Sequence, residues 1–434
     1  MKFYSINRKS AAVSLHEAVL RGLAPDGGLY MPEKILPLAK SFLRQLGSLS
    51  FQEISLHVAR HLFGEDVPAN ILKKIIADAY PFDAPLVRLD EGLFTLELFH
   101  GPTLSFKDFA ARFMARLMAY FIQDSQQELT VLVATSGDTG SAVAQGFLGV
   151  AGIRVVIVYP SGMVSEIQEK QLTTMGKNVT ALNVQGSFDD CQRMVKQAFL
   201  DGEIQKKLML ASANSINIAR LFPQTFYHVS CYAQLPDKTK PVVVSVPSGN
   251  FGNLTAGLLA KRMGLPIAMF VASTNENNVV PEYLRTGHFV PRPSRQTMSS
   301  AMDIGHPSNF IRMLELYGGD REAMKKDVYG ASFSDEQTAA AMHEVFEKYG
   351  YVMDPHGAVG YLGLEQYLRS FGRPANGIFI ETAHPAKFVE SVEQAIGQKV
   401  ELPQALAACL KKEKKSVALP ASFEALKEFL LARS

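Results

Sequence analysis

Tryptophan is absent from the 434 residues, and cysteine occurs only three times, as Cys191, Cys231 and Cys409. Three widely spaced thiols make neither a disulfide framework nor a zinc site, so no metal centre is expected and a reducing cytoplasm is the expected setting. Nowhere does the chain hold the roughly 18 consecutive apolar residues of a membrane helix. Lys2, Arg8 and Lys9 near the start have no apolar block behind them, so the chain reads as soluble and unprocessed, with no membrane partner. Excess charge of one sign is also lacking. Lys and Arg number 44 against 42 Asp and Glu, for a formal charge of +2, which leaves no footprint for nucleic acid. The one basic cluster, Lys411, Lys412, Lys414 and Lys415, is broken by Glu413 and reads as a solvated linker or helix face. Low-complexity tracts, short repeats, Gly-x-x-x-x-Gly-Lys-Ser/Thr and a post-strand Gly-x-Gly-x-x-Gly are all missing, which weakens nucleotide-binding readings.

What remains is an ordinary globular composition, 47% hydrophobic and 20% charged, long enough for two or three domains. Residues 1–90 read as a mainly helical segment. Ser14 to Glu17 and Ser50 to Glu53 are capping-box patterns, and Ile71, Leu72, Ile75 and Ile76 form an apolar stripe. Beyond it, short β-rich runs alternate with helical spacing: 129–134, 154–159, 179–184, 242–246, 267–272 and 378–380. Helices are expected to begin near Ser141, Ser161 and Ser187 after the first three. Such alternation predicts an α/β fold with parallel sheets covered on both faces. A compositional change at 236–241 suggests two lobes, 91–230 and 231–434.

Four segments have the composition of a site. In Leu104-Ser-Phe-Lys-Asp-Phe-Ala110, after a strand at 94–98 and a turn at Gly101-Pro102, a helical period starts at Ser105, which with Asp108 makes an acidic capping box. Lys107 then lies in the first helical turn among aromatic rings, where the helix dipole and burial both disfavour an ammonium and leave an amine able to form a Schiff base. In Thr135-Ser-Gly-Asp-Thr-Gly-Ser141, small residues and hydroxyls at a helix start suit a carboxylate. Pro247-Ser-Gly-Asn-Phe-Gly-Asn253, with two glycines and three polar side chains after a strand, is the best phosphate cradle in the chain. Thr382, in Glu381-Thr-Ala-His-Pro-Ala-Lys-Phe388, can donate a hydroxyl proton to a neutral ring nitrogen. Each segment taken singly also has a plainer reading, as a solvated lysine or a capped turn. The roles of His384 and Lys387 stay open, and the loops 303–309 and 354–358 are compatible with lining a cleft or with plain connection.

Together these parts are the ones needed to hold pyridoxal phosphate and an amino acid. Leu-Ser-Phe-Lys-Asp, Thr-Ser-Gly-Asp-Thr-Gly-Ser, Pro-Ser-Gly-Asn-Phe-Gly-Asn and Thr-Ala-His-Pro-Ala-Lys-Phe resemble the motifs of the threonine synthase family of fold-type II pyridoxal phosphate enzymes. The resemblance covers nearly the whole chain, including Gly22-Leu-Ala-Pro-Asp-Gly-Gly-Leu-Tyr30. It implies two open parallel-sheet lobes and a lyase that converts O-phospho-L-homoserine and water to L-threonine and phosphate, the last step of threonine biosynthesis. The alternative is another lyase of the same fold, such as a serine or threonine dehydratase. Carried over to matching positions, Lys107 holds the cofactor and moves protons, while Ser248, Gly249, Asn250, Phe251, Gly252 and Asn253 hold its phosphate and Thr382 its ring nitrogen. Ser136, Gly137, Asp138, Thr139, Gly140 and Ser141 are expected to receive the substrate carboxylate. Asn214, Asn217 and Arg220 are candidates for the substrate phosphate, because Arg binds phosphate bidentately. The protein is expected to be a monomer or a small homo-oligomer.

Overall fold

The computed structural model describes residues 1–432. The N-terminal segment carries the expected helices, including Phe51–Phe63 and Ala69–Ala79. Ser50 and Glu53 form the reciprocal capping box, whereas Ser14 only accepts from Glu17 N, at 3.2 Å. The segment also holds three short strands that the sequence pattern does not reveal: β1 (Lys2–Ser5), β2 (Val13–Ser14) and β3 (Tyr30–Pro32), paired in the order β2-β1-β3. Runs of two to four residues are too short to display an alternation. The helical stripes close over the helix Lys107–Phe121, with Phe51 edge-on to Phe109 at 5.4 Å and Phe63 against Phe113 at 5.3 Å. The segment thereby holds the outer face of the element that begins with Lys107.

Eleven further strands follow: β4 (Leu86–Asp90), β5 (Leu93–Glu97), β6 (Leu129–Ala134), β7 (Ile153–Pro160), β8 (Val179–Gln185), β9 (Met209–Ser212), β10 (Val242–Pro247), β11 (Met269–Thr274), β12 (Val328–Ser332), β13 (Asn376–Glu381) and β14 (Val417–Pro420). They build two sheets, ordered β12-β11-β10-β13-β5-β4 and β14-β8-β7-β6-β9. Every pairing in them is parallel except β4 with β5. Each residue of β6 and β10 is buried, as continuous apolar runs between two helical layers must be.

Sheet pairing crosses the lobe limits expected at 90 and 230 in both directions. β5 pairs with β13, so the strand leading to Lys107 belongs to the six-stranded sheet, and β14 pairs with β8 in the other. Period and composition identify a strand but carry nothing about a partner nearly three hundred residues away. Two helix starts also differ from expectation. The helix expected near Ser161 runs Glu166–Thr173 under a Ser165 cap, and the one expected near Ser141 runs Asp138–Phe147. No helix among the described residues is long and apolar enough to cross a membrane.

Candidate active site

Neighbouring strands β10, β13 and β5 run parallel, so the loops that follow them, starting at Ser248, Thr382 and Leu98, leave the same edge of the sheet. At roughly 4.8 Å per strand, the outer two of these loops are about 10 Å apart at their roots. The Lys107 loop is also stitched to the Thr382 loop. Phe106 N donates to Thr382 O at 2.8 Å and His384 N to Leu104 O at 3.0 Å. Leu104 is held at φ 57°, a left-handed conformation unusual for a side chain of its kind.

Lys107 opens its helix, as expected, but the capping box does not form. The Asp108 carboxylate instead accepts from Thr103 N and Oγ1, at 2.8 and 2.7 Å. Burial raises the Asp108 pKa to about 6 against those hydrogen bonds. The Lys107 side chain is 16% exposed, with Nζ 3.9 Å from Asp138 Oδ2 and 4.8 Å from the Phe106 ring centroid. Burial lowers its pKa; Asp138 opposes that, while Lys387 and Arg220 add to it. Lys387, left open in the sequence, is fully enclosed, with Nζ 2.7 Å from Asp138 Oδ1 and 2.9 Å from Thr103 O. Burial pushes the Asp138 pKa up, but Lys387 and Lys107 outweigh it and hold the carboxyl below its usual range. One carboxylate therefore sits between two amines, and the nearer one, Lys387, takes most of its charge. His384 is a turn cap, its Nδ1 accepting from Ala386 N at 3.1 Å.

The cradle after β10 is set by Phe251, whose φ of 60° turns successive amides inward ahead of the helix Gly252–Arg262. None of the N–H groups of residues 249 to 253 has an acceptor among the described residues. Asn253 adds a buried Nδ2 without a partner among the described residues, while its Oδ1 accepts from His228 Nε2 at 2.9 Å. Two expected contributors are committed elsewhere. Ser248 donates its N–H to Ser273 O and its hydroxyl to Val246 O, both at 2.8 Å. The Asn250 side chain donates to Ser215 Oγ and accepts from Ser308 N, so only its backbone N–H remains. Unengaged amides at a helix N-terminus fit a phosphate dianion. Across the edge, the buried Thr382 hydroxyl has no partner among the described residues, which fits an acceptor such as a ring nitrogen.

On the facing sheet, β6 and β9 are adjacent, so the loops 135–141 and 213–220 lie side by side, joined by Asn214 Nδ2 to Ala134 O at 3.0 Å. Gly137, at φ 144°, leaves no room for a Cβ, which would fall 2.6 Å from Gln168 Oε1. Thr135 Oγ1 takes the N–H groups of Gly137 and Gly140, and Ser141 N bonds Gly137 O. The N–H groups of Ser136, Asp138 and Thr139 remain without acceptors among the described residues. The Asp138 side chain, expected among the carboxylate's contacts, is itself an anion, so only its N–H can serve there. Asn217 is fully spent: Nδ2 donates to Val19 O and Ser212 O, and Oδ1 accepts from Ala219 N. Arg220 donates Nη1 to Ala213 O at 2.6 Å and keeps a buried Nε without a partner among the described residues; burial lowers its pKa to about 10. Arg312, which no motif marked, is wholly buried and donates to Tyr30 O, Ile216 O and Asn309 Oδ1, tying the N-terminal segment to this loop.

Known proteins carry the same architecture. Residues 2–80 match the family described as threonine synthase N terminus, residues 81–382 the pyridoxal-phosphate dependent enzyme family, and residues 357–430 threonine synthase, C-terminal. The chain is 43% identical to a threonine synthase of Serratia marcescens over 433 residues, covering 99% of each. It superposes on the crystal structure of threonine synthase from Escherichia coli with a TM-score of 0.93, 42% identity and full coverage of both chains. A pyridoxal phosphate-bound threonine synthase from Brucella melitensis gives a TM-score of 0.93 at 35% identity, covering 100% of this chain and 99% of that one. The amine beside its paired carboxylate, the amide cradle and this likeness over the full length agree, and the chain belongs to the threonine synthase family of pyridoxal phosphate-dependent enzymes.

Proposed function

We propose that this chain is a pyridoxal phosphate-dependent lyase that turns O-phospho-L-homoserine and water into L-threonine and phosphate, with Lys107 bonded to the cofactor's aldehyde. The observation that carries the assignment is the enclosed, pKa-lowered amine of Lys107, on the same sheet edge as five unengaged amides. The bound cofactor supplies an electron sink for charge that develops at the substrate's Cα. In this reading the N–H groups of residues 249 to 253 and Asn253 Nδ2 take its phosphate, and the Thr382 hydroxyl donates to its ring nitrogen. A hydroxyl partner leaves that ring uncharged, which restrains the sink and leaves proton transfer at Cα and Cβ to Lys107.

Substrate groups fall to the facing sheet. The Ser136, Asp138 and Thr139 amides receive the carboxylate, with the Ser136 and Thr139 hydroxyls beside them. The Nε of Arg220, unengaged among the described residues, and the Asn214 side chain are the candidates to take the leaving phosphate. Lys387 has a role the sequence left open. By pairing with Asp138 it keeps that carboxylate from repelling the substrate's own and from drawing a proton onto Lys107. The partner in this reading is a small molecule rather than nucleic acid, and the working form is a cytoplasmic monomer or small homo-oligomer.

The test is to supply O-phospho-L-homoserine to the purified protein and measure phosphate and threonine together. Equal release of both is expected. Deamination of serine or threonine, with O-phosphohomoserine untouched, would assign it to the dehydratases instead.

A further inference from the structure

The helix Pro355–Phe371 begins under Asp354, and the loop that contains it carries two buried polar side chains that no motif explained. Asp354 is 0% exposed and His356 2%. Asp354 Oδ1 accepts from His356 N at 2.7 Å and from His356 Nδ1, while Oδ2 accepts from Thr382 N and Ala383 N at 3.3 and 3.2 Å. Four donors on one carboxylate keep it charged without solvent. The adjoining Glu381, whose Oε2 accepts from Asp354 N at 3.0 Å, has its pKa pushed well above the usual carboxylate range by burial and by the Asp354 charge.

The other ring nitrogen of His356 faces away from this cluster. Nε2 is 3.3 Å from Ala301 N, which can only donate, so Nε2 must accept and Nδ1 must carry the hydrogen. Only the neutral Nδ1–H tautomer makes both contacts. Ala301 and Met302 in turn form the surface on which Gly249 rests: a Cβ at 249 would lie 2.7 Å from Met302 Cα and 3.0 Å from Ala301 O. A continuous path of buried and half-buried contacts therefore runs from Thr382 through Asp354 and His356 to the first glycine of the cradle.

We propose that Asp354 and His356 are positioning residues that lock the two ends of the cofactor site to each other. Asp354 fixes the backbone that presents the Thr382 hydroxyl, and the Nδ1–H tautomer of His356 fixes the Ala301–Met302 backbone behind Gly249. This rests on the assignment of Thr382 and the 249–253 loop to the cofactor. The two arms can be cut separately. His356→Asn keeps an N–H near the position of Nδ1 but removes the acceptor for Ala301 N. His356→Gln keeps an acceptor near Nε2 but removes the donor to Asp354.

In the holoenzyme, His356→Asn is expected to raise the pyridoxal phosphate dissociation constant about tenfold, the cost of losing one hydrogen bond at the part-buried Ala301 N–H, with the pH midpoint of the bound cofactor's absorption band unchanged. His356→Gln is expected to leave the dissociation constant within about threefold of wild type and to move that midpoint upward, because Asp354 loses a donor and its charge is felt more strongly at the ring. Equal effects of the two variants on both readouts would mean simple packing and overturn the proposal, as would no effect of either. Should either variant fail to fold, the tautomer decides. Nitrogen-15 shifts of His356 in the wild-type chain must show Nδ1 protonated and Nε2 bare, and an imidazolium or an Nε2–H ring refutes the path. Failure of the wild-type chain to take up the cofactor at Lys107 would instead refute the underlying assignment.

Discussion

Replacing Lys387 with Met asks how the site lowers the proton affinity of Lys107. The substitution removes an ammonium 2.7 Å from Asp138 and leaves that carboxylate with Gln168 Nε2 at 2.8 Å and Lys107 at 3.9 Å. Breaking a buried ion pair from one side costs about 3–5 kcal/mol, because the remaining charge stays desolvated. Here Lys107 can move in as a substitute, so the lower end, about 3 kcal/mol, is expected. The substitute has a cost of its own. Once paired with Asp138, Lys107 binds its proton more tightly, and each unit by which its pKa rises slows cofactor capture about tenfold at neutral pH. A double-mutant cycle separates the two effects. Asp138→Asn together with Lys387→Met removes both charges and should recover at least about 2 kcal/mol of the loss. Urea unfolding of the cofactor-free chain measures the stability, and the pH dependence of pyridoxal phosphate uptake measures the amine. A single-variant cost under about 1 kcal/mol with no coupling, and an uptake profile that does not move toward higher pH, would refute the shared-carboxylate account.

Other outcomes follow from the same geometry. Gly137→Ala places a Cβ 2.6 Å from Gln168 at φ 144°, so a loss of about 2–4 kcal/mol and a sharp rise in KM are expected, read by unfolding and steady-state kinetics. Thr382→Val keeps the shape but removes the hydroxyl. It should weaken cofactor binding about fivefold to thirtyfold, measured by equilibrium dialysis, with little change in the unfolding of the cofactor-free chain. His228 is buried, which lowers its pKa from 6.5 to about 4 despite its bonds to Asn253. The unfolded chain therefore binds the extra proton first on acidification, and stability present above pH 6.5 is lost as pH falls toward 4. The amount is on the order of 3 kcal/mol. His228→Gln should flatten that part of the stability profile.

How much of this was legible in the residues depends on the range of the interaction. The strand at 129–134, the helix stripe 106–121 and the Ser50–Glu53 box are local patterns, and the structure repeats them nearly residue for residue. The cradle was legible because glycines and polar residues after an apolar strand have few other uses. Its chemistry was only half legible: composition marks Ser248 and Asn250 as donors, and only the fold reveals that Val246 O and Ser215 Oγ already occupy them. Asn217 was misread for the same reason, since its acceptor Val19 O lies almost two hundred residues away. Lys387 carried a faint signal, a cation between Ala386 and Phe388 in an otherwise apolar turn, but its partner Asp138 sits on the other sheet. The crossing of β5 and β14 between sheets left no local trace at all.

The central claim is that one particular amine carries the cofactor. Two lysines flank Asp138, Lys387 buried and Lys107 largely enclosed, and only Lys107 lacks the close ion pair. Reducing the pyridoxal phosphate-loaded protein with borohydride and mapping the labelled peptide by mass spectrometry tests this directly. The label is expected on Lys107 alone and absent from the chain carrying Lys107→Ala. A label on Lys387, or an unlabelled chain that still releases phosphate from O-phosphohomoserine, would contradict the account.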